Sequence, residues 1–158
     1  MRPARPDELA AVGELTGRVY LDENFLDGDD GYLPHLQDAR TRAAEAELWV
    51  AVEDGRLLGT VTFTPAGSSY REIARADEGE FRMLAVAPEA RGRGVGRLLV
   101  ELCLARSREL GYAGVRMSSL DRMRSAHRLY EQLGFLRAPE DDWEPQPGVS
   151  LRAYRVRL

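Results

Sequence analysis

The sequence predicts an α+β fold built on a mixed sheet, and three features carry that prediction. Residues 48–53 and 57–64 are two apolar runs joined by Asp54-Gly55, a hairpin signal. Residues 81–87 form an apolar strand that stops at Pro88, after which a glycine-rich turn feeds an amphipathic helix. Residues 113–119 and the helix that ends at Gly134 repeat the order of strand then helix. Hairpins kept apart from strand–helix units give α+β rather than a strictly alternating α/β chain. The order read from the sequence is strand, two helices, three strands, helix, strand, helix, two strands. That makes a mixed central sheet of about six to seven strands with four helices, in a single domain spanning residues 1–158.

Residues 1–6 read as a short edge strand broken by prolines. Asp7 is placed to cap a helix from Glu8 to about Tyr20, with Leu9, Val12, Leu15 and Val19 on one face. The acidic stretch that follows, Asp22, Glu23, Asp27, Asp29 and Asp30, reads either as a solvated loop or as the rim of a pocket for a cationic acceptor. Residues 33–47 read as a second helix carrying His35, a surface or packing position. Residues 66–79 form a polar loop containing Tyr70. The helix from Val95 to Leu110 places Val95, Leu98, Leu99, Leu102 and Cys103 on one face, and Gly111 stops it. Asp121 is placed to cap the next helix, in which Met123, Ala126, Tyr130 and Leu133 share a face. Phe135 begins a short strand, residues 138–148 form a loop and residues 149–158 the last strand.

Composition narrows the function. The formal charge is −4, which gives no support to bulk nucleic-acid binding. No apolar run approaches the ~20 residues of a membrane span and the N-terminus has no hydrophobic signal core, so a cytoplasmic protein with no membrane partner is expected. All 22 basic residues are arginine, so a lysine nucleophile or Schiff base is excluded. Cys103 is the only cysteine and lies on the buried stripe, where it reads as a small hydrophobe rather than a nucleophile. Nothing suggests a metal site, and a homodimer stays open.

The strongest functional signal is residues 80–98. Strand, glycine-rich turn and helix in that order present free N–H groups at a positive helix N-terminus, which suits a phosphate. Gly92, Gly94 and Gly96 leave room for an anion to approach, and Arg91, Arg93 and Arg97 add positive charge. The spacing is G-x-G-x-G, neither a dinucleotide fingerprint nor a Walker loop. The turn alone is also what a tight strand-to-helix connection needs for steric reasons.

The wider stretch Leu84-Ala85-Val86-Ala87-Pro88, then Arg91-Gly92-Arg93-Gly94-Val95-Gly96, resembles the coenzyme A signature of the GNAT N-acetyltransferases. Ser125-Ala126-His127-Arg128-Leu129-Tyr130-Glu131-Gln132-Leu133-Gly134-Phe135 resembles that family's later A-x-x-L-Y-x-x-x-G-F segment, in the family's order. The resemblance implies the GNAT fold, in which the fourth and fifth strands splay. It implies acetyl-CoA as cosubstrate and direct transfer of acetyl to a primary amine of a small molecule or peptide. The pantetheine would pair with Leu84, Ala85 and Val86, and the pyrophosphate would meet the backbone from Gly92 through Arg97. A backbone N–H near Leu84 is the implied oxyanion donor.

The resemblance also makes Tyr130 the candidate general acid, with a packing tyrosine as the plain alternative. Glu80 is the candidate base, with a solvent-facing strand end as its alternative. Glu78, Tyr70 or a water chain remain open as bases, and Arg82 shares the strand face of Glu80. His127 reads as a surface position. Met123 stands where many members of the family carry asparagine, so a cofactor bond from that position is not expected. A non-catalytic acyl-CoA-binding module is the alternative to an enzyme.

Overall fold

The computed structural model describes residues 1–26 and 31–158. Among these, seven strands form one sheet in the order β1-β2-β3-β4-β5-β7-β6. The strands are β1 (Arg2–Pro3), β2 (Glu47–Glu53), β3 (Arg56–Thr64), β4 (Glu78–Val86), β5 (Gly114–Leu120), β6 (Leu136–Arg137) and β7 (Leu151–Arg157). Every neighbouring pair is antiparallel except β4 and β5, which run parallel. The helices are α1 (Leu9–Asp22), α2 (Tyr32–Gln37), α3 (Ala39–Glu45), α4 (Val95–Glu109) and α5 (Arg124–Gln132).

The period-two pattern of β3 decides which helix covers which face. A Cβ on Gly59 would meet Leu99 and Val95, so Gly59, and with it Val61 and Phe63, faces α4. Thr60, Thr62 and Thr64 turn to the other face and are fully buried there. Arg42 of α3 reaches Thr62 on that face and also bonds Thr16 of α1. The apolar core therefore lies between the sheet and α4, while α1–α3 cover a face with an unusual amount of buried polarity.

The predicted helical face of α1 holds: Leu9, Val12, Leu15 and Val19 are all buried. The predicted helix over 33–47 is instead two short helices. Asp38 leaves the helical region at ψ 70°, and its carboxylate caps α3 by accepting the Thr41 N–H at 3.0 Å. Such side chains compete with the helix for backbone groups and start a new one. Glu47 belongs to β2. On α4, Leu98 points outward, while Val100 and Leu104 join Val95, Leu99 and Cys103 inside. Burial pushes the Cys103 thiol up, which keeps it inert. Asp121 does not cap α5. Its N–H donates to the Ser150 carbonyl, and the helix starts at Arg124 with Met123 before it.

Gly13 sits where α1 meets the end of α2. A Cβ there would lie 2.1 Å from the Gln37 carbonyl oxygen, a backbone atom that cannot swing away. Gly13→Ala is expected to destabilise by about 1–3 kcal/mol through forced separation of the helices. The sign is opposite to the ~1 kcal/mol gain that this change gives in an open helix. Urea unfolding reads the difference, and a stabilised variant would show that the two helices have room to spare.

Candidate active site

β4 and β5 pair only at Glu78↔Gly114 and Gly79↔Val115. Beyond that point they part. β5 stays in register with β7 from Gly114 to Leu120, and β4 stays with β3, so each keeps a partner on its outer edge only. The gap opens into a cleft of about 1020 Å³. Leu84 and Val86 line one wall, Met117 and Ser119 the other, and the turn before α4 and residues of α5 close the end.

β4 carries a bulge at the mouth of the gap. Thr62 pairs with Arg82 and Thr60 with Ala85, so Met83 and Leu84 together oppose one residue of β3. Met83 has φ 52°, a conformation uncommon for a side chain with a Cβ. Its buried side chain clusters with Tyr20, Leu36 and Tyr70, and that packing holds the bulge in place.

The turn after β4 is left-handed at Gly92 (φ 72°) and Gly94 (φ 81°), and no atom lies within 4 Å of where either Cβ would stand. The first α4 bond runs from the Leu98 N–H to the Gly94 carbonyl. The N–H groups of Val95, Gly96 and Arg97 come before that bond, at the positive end of a 15-residue helix. Gly92, Gly94, Val95, Gly96, Arg91 and Arg97 border the cleft. Arg91 pairs with Glu23, and Arg97 reaches Glu101. Arg93 turns away to Glu53 at 2.6 Å, and Ala85 packs into the core rather than into the cleft.

Tyr130 borders the cleft from α5. Its ring packs against Phe81, Phe135 and Tyr154, each at 5.8 Å between centroids. Burial pushes its hydroxyl well above the usual tyrosine range, so it stays protonated. His127 is buried rather than on the surface. Its Nε2 lies 3.0 Å from the Leu120 carbonyl, and its ring lies against Tyr154. Met123 packs with its Sδ accepting from the Ser119 hydroxyl at 3.4 Å.

The carboxylates divide by environment. Glu78 is gripped by Arg116 through two bonds of 2.6 and 2.9 Å. Burial raises its proton affinity, but Arg116 and the Arg75 N–H outweigh that and hold the carboxyl below its ordinary range. Glu80 is fully buried and does not border the cleft. Its Oε2 accepts the N–H groups of Glu72, Ile73 and Ala74 at 3.1, 3.0 and 3.0 Å, while Oε1 has no partner among the described residues. Arg82 pairs with Glu72 at 2.7 Å rather than with Glu80. Glu72 borders the cleft, as does Glu23. Asp27, Asp29 and Asp30 lie outside the described residues.

Residues 14–135 match the sequence model described as "Acetyltransferase (GNAT) family". The chain belongs to the GNAT acetyltransferase family. A mycothiol acetyltransferase of Thermomonospora curvata is 35% identical over 111 residues, which is 67% of this chain and 35% of that protein. The chain thus spans little more than a third of that relative's length. A GNAT-family acetyltransferase structure from Staphylococcus aureus Mu50 aligns over 99% of this chain and 96% of that one, with TM-score 0.77 and 16% identity. A GCN5-related N-acetyltransferase from Kribbella flavida aligns over 99% and 96%, with TM-score 0.72 and 25% identity. The expected GNAT fold and family are therefore both shown. Among the described residues no helix is long and apolar enough to cross a membrane, and no cluster of three or more His, Cys, Asp or Glu is placed to hold a metal.

Sequence reasoning missed Glu72 and its pairing with Arg82. Glu72 sits in the polar stretch between β3 and β4, where no periodicity marks any position. Its place in this GNAT cleft is set by hydrogen bonds to Glu80, eight residues later.

The grip of Glu78 on Arg116 makes stability depend on pH. A carboxyl held low in the folded chain stabilises it above the ordinary carboxylate range, and that contribution is lost as pH falls below it. Glu78→Gln is expected to lose about 3 kcal/mol at neutral pH, because it leaves the buried Arg116 short of a partner. The gap to wild type should shrink in acid, as denaturant unfolding at several pH values would read. A gap that is constant with pH would mean that the pair does not carry the effect.

Proposed function

We propose that this GNAT enzyme moves an acetyl group directly from acetyl-CoA to a primary amine of a small molecule or peptide. One observation carries the reading. The parting of β4 from β5 brings the open glycine turn, the unpaired inner edge of β4 and the Tyr130 ring to the same cleft. The residues present fit the cofactor. Side-chain-free turn positions at Gly92 and Gly94, with early N–H groups of α4 beside them, suit its pyrophosphate. The inner edge of β4 at Leu84, Ala85 and Val86 suits its pantetheine amides as an added strand would. Acetyl-CoA supplies an activated acyl thioester.

The chain's own groups then do three things. The bulge at Met83 and Leu84 frees a backbone N–H to meet the oxygen on which charge develops. Tyr130 holds its proton until a thiolate leaves and then donates it. Cys103, the only cysteine of the chain, is sealed in the core, so no acyl-enzyme forms on a thiol and the amine attacks directly. The curated relative carries the name mycothiol acetyltransferase. The match covers too little of that protein to carry its acceptor across, so the acceptor stays at the level of a primary amine. A screen of amines with acetyl-CoA, read by free thiol, tests the class.

Gly94→Glu puts a charged side chain into the turn from a left-handed position. It is expected to abolish measurable acetyl-CoA binding by calorimetry in a variant that still folds, and unchanged affinity would sink the cradle. Tyr130→Phe is expected to keep cofactor affinity and to lose turnover by ~10²- to 10⁴-fold. A wild-type rate at every pH would make Tyr130 a packing residue.

A further inference from the structure

Glu72 stands at a boundary. Beside the large cleft lies a second hollow of about 370 Å³, lined among others by His35, Asp38, Glu45, Tyr70, Glu72 and Arg82. Glu72 and Arg82 are the residues that line both spaces. Arg82 is the last β4 residue in register before the bulge, so the Arg82–Glu72 pair abuts the strand edge where the acyl carbonyl is to lie. Among the described residues the other carboxylate on the cleft, Glu23, is tied to Arg91 at the glycine turn, beside the phosphate end. Glu78 is locked to Arg116, and Glu80 is closed off beneath the 72–74 backbone.

We propose that Glu72 is the catalytic base of this GNAT enzyme, taking the proton of an acceptor amine that enters through the second hollow, and that Glu80 is the positioning residue that holds it there. This rests on the acetyl-transfer reading above. Three N–H bonds to one carboxylate oxygen fix a loop that has no ladder of its own, and such bonds to a charged acceptor are about twice as strong as neutral ones. Glu72 is therefore presented by Glu80 and braced by Arg82. Its side chain keeps about a quarter of its surface exposed, enough to pass a proton to water.

The electrostatics agree with this geometry. Burial raises the proton affinity of Glu72, Arg82 lowers it, and the nearby Glu80 charge raises it, with the sum upward. Tyr32 and His35 face it from α2, and Asp38 and Glu45 face it across the hollow from the α3 side. Burial, Arg82 and Arg42 push His35 down, so it does not compete for the proton at neutral pH.

The proton balance closes. An ammonium group gives one proton to Glu72, which passes it to water. The freed amine forms the C–N bond as the C–S bond breaks. Nitrogen then loses a second proton to solvent, and Tyr130 gives one to sulfur and regains one from solvent. The net release is one proton per amide formed.

The test uses the full chain, acetyl-CoA and two primary amines of similar size. Ethylamine is protonated at neutral pH and needs a base, whereas 2,2,2-trifluoroethylamine is already free. Glu72→Gln is expected to lower kcat/KM for ethylamine by ~10²- to 10⁴-fold and to leave trifluoroethylamine within a few-fold of wild type. Glu80→Gln keeps an acceptor oxygen for the loop but removes a charge. It should shift the acidic limb of the pH profile for ethylamine to lower pH, and an unmoved limb in a variant that still folds would overturn the positioning role of Glu80. Equal loss with both amines, or no loss with either, would overturn the assignment of Glu72. If wild type binds acetyl-CoA by calorimetry but transfers to neither amine nor to any amine of the wider screen, the acetyl-transfer reading fails and takes this inference with it.

Discussion

Phe81, Tyr130 and Phe135 meet where β4 leaves β5. Phe81 lies edge-on to Tyr130 at 5.8 Å and to Phe135 at 6.1 Å. Phe81 is two residues past the last β4–β5 pair, and all three rings are essentially buried. Two of them come from α5 and the residues just after it, so together they act as a wedge between the strands. Closing the gap to complete the ladder would mean expelling them, and each ring pair is worth about 0.5–1.5 kcal/mol beyond its burial. An open inner edge in mid-sheet is otherwise unfavourable, because backbone N–H and C=O groups need partners. On the proposed reading the unmet groups of β4 become the surface that takes the cofactor, and the cost of leaving them open is offset by the aromatic packing at the root of the gap.

The opposite face of the sheet follows a different logic. Thr60, Thr62, Thr64, Glu80 and Arg42 are all fully buried there. Among the described residues Arg42 has no carboxylate partner. It donates to Thr62 at 3.2 Å, to Thr16 at 3.2 Å and to the Leu36 carbonyl at 2.9 Å, and so ties β3, α1 and the end of α2 to α3. Burial lowers its proton affinity, as expected for a cation held by neutral acceptors. A polar layer of this kind stabilises little and specifies much, since each group has partners in only one arrangement. That arrangement fixes the short helices and the loop from Tyr70 to Ala74 relative to β4, and hence the walls of the smaller hollow.

What was legible in the sequence divides along the same line. The hairpin at Asp54-Gly55, the α1 stripe and the strand–turn–helix unit around Gly94 are local or periodic signals, and the structure keeps all of them. The break at Asp38 was not legible, because an N-cap inside an Ala- and Glu-rich run carries no periodicity of its own. Leu98 was misplaced because the covered arc of α4 is rotated toward Val100 and Leu104 and away from Leu98. The turn residues Gly92, Gly94 and Gly96 and the cleft residue Tyr130 could be named in advance, since they sit in a fixed local frame. Glu80 looked like a strand-end carboxylate available for chemistry. Its capture by three N–H groups of a loop is a tertiary fact with no trace in spacing, and so is the exposure of Glu72 in its place.

This division matches the way in which the two substrates are proposed to be held. A cofactor bound by backbone groups demands a particular chain path, and a path leaves a record in glycines, strand ends and helix starts. An acceptor bound by side chains on loops demands only that a few groups converge. The hollow lined by His35, Asp38, Glu45, Tyr70 and Glu72 draws on two short helices and one loop, none of which has a regular pattern. His35 stacks on Tyr70 at 5.2 Å with the rings nearly parallel, which gives the hollow one flat wall. Substitutions there would change which amine fits without disturbing the β4 edge, the glycine turn or the wedge of rings. The fold thus separates what must stay constant for acyl transfer from what can vary with the acceptor. Arg82 and Glu72 stand on the border between the two spaces, where on the reading proposed above the amine gives up its proton before it reaches the acyl group.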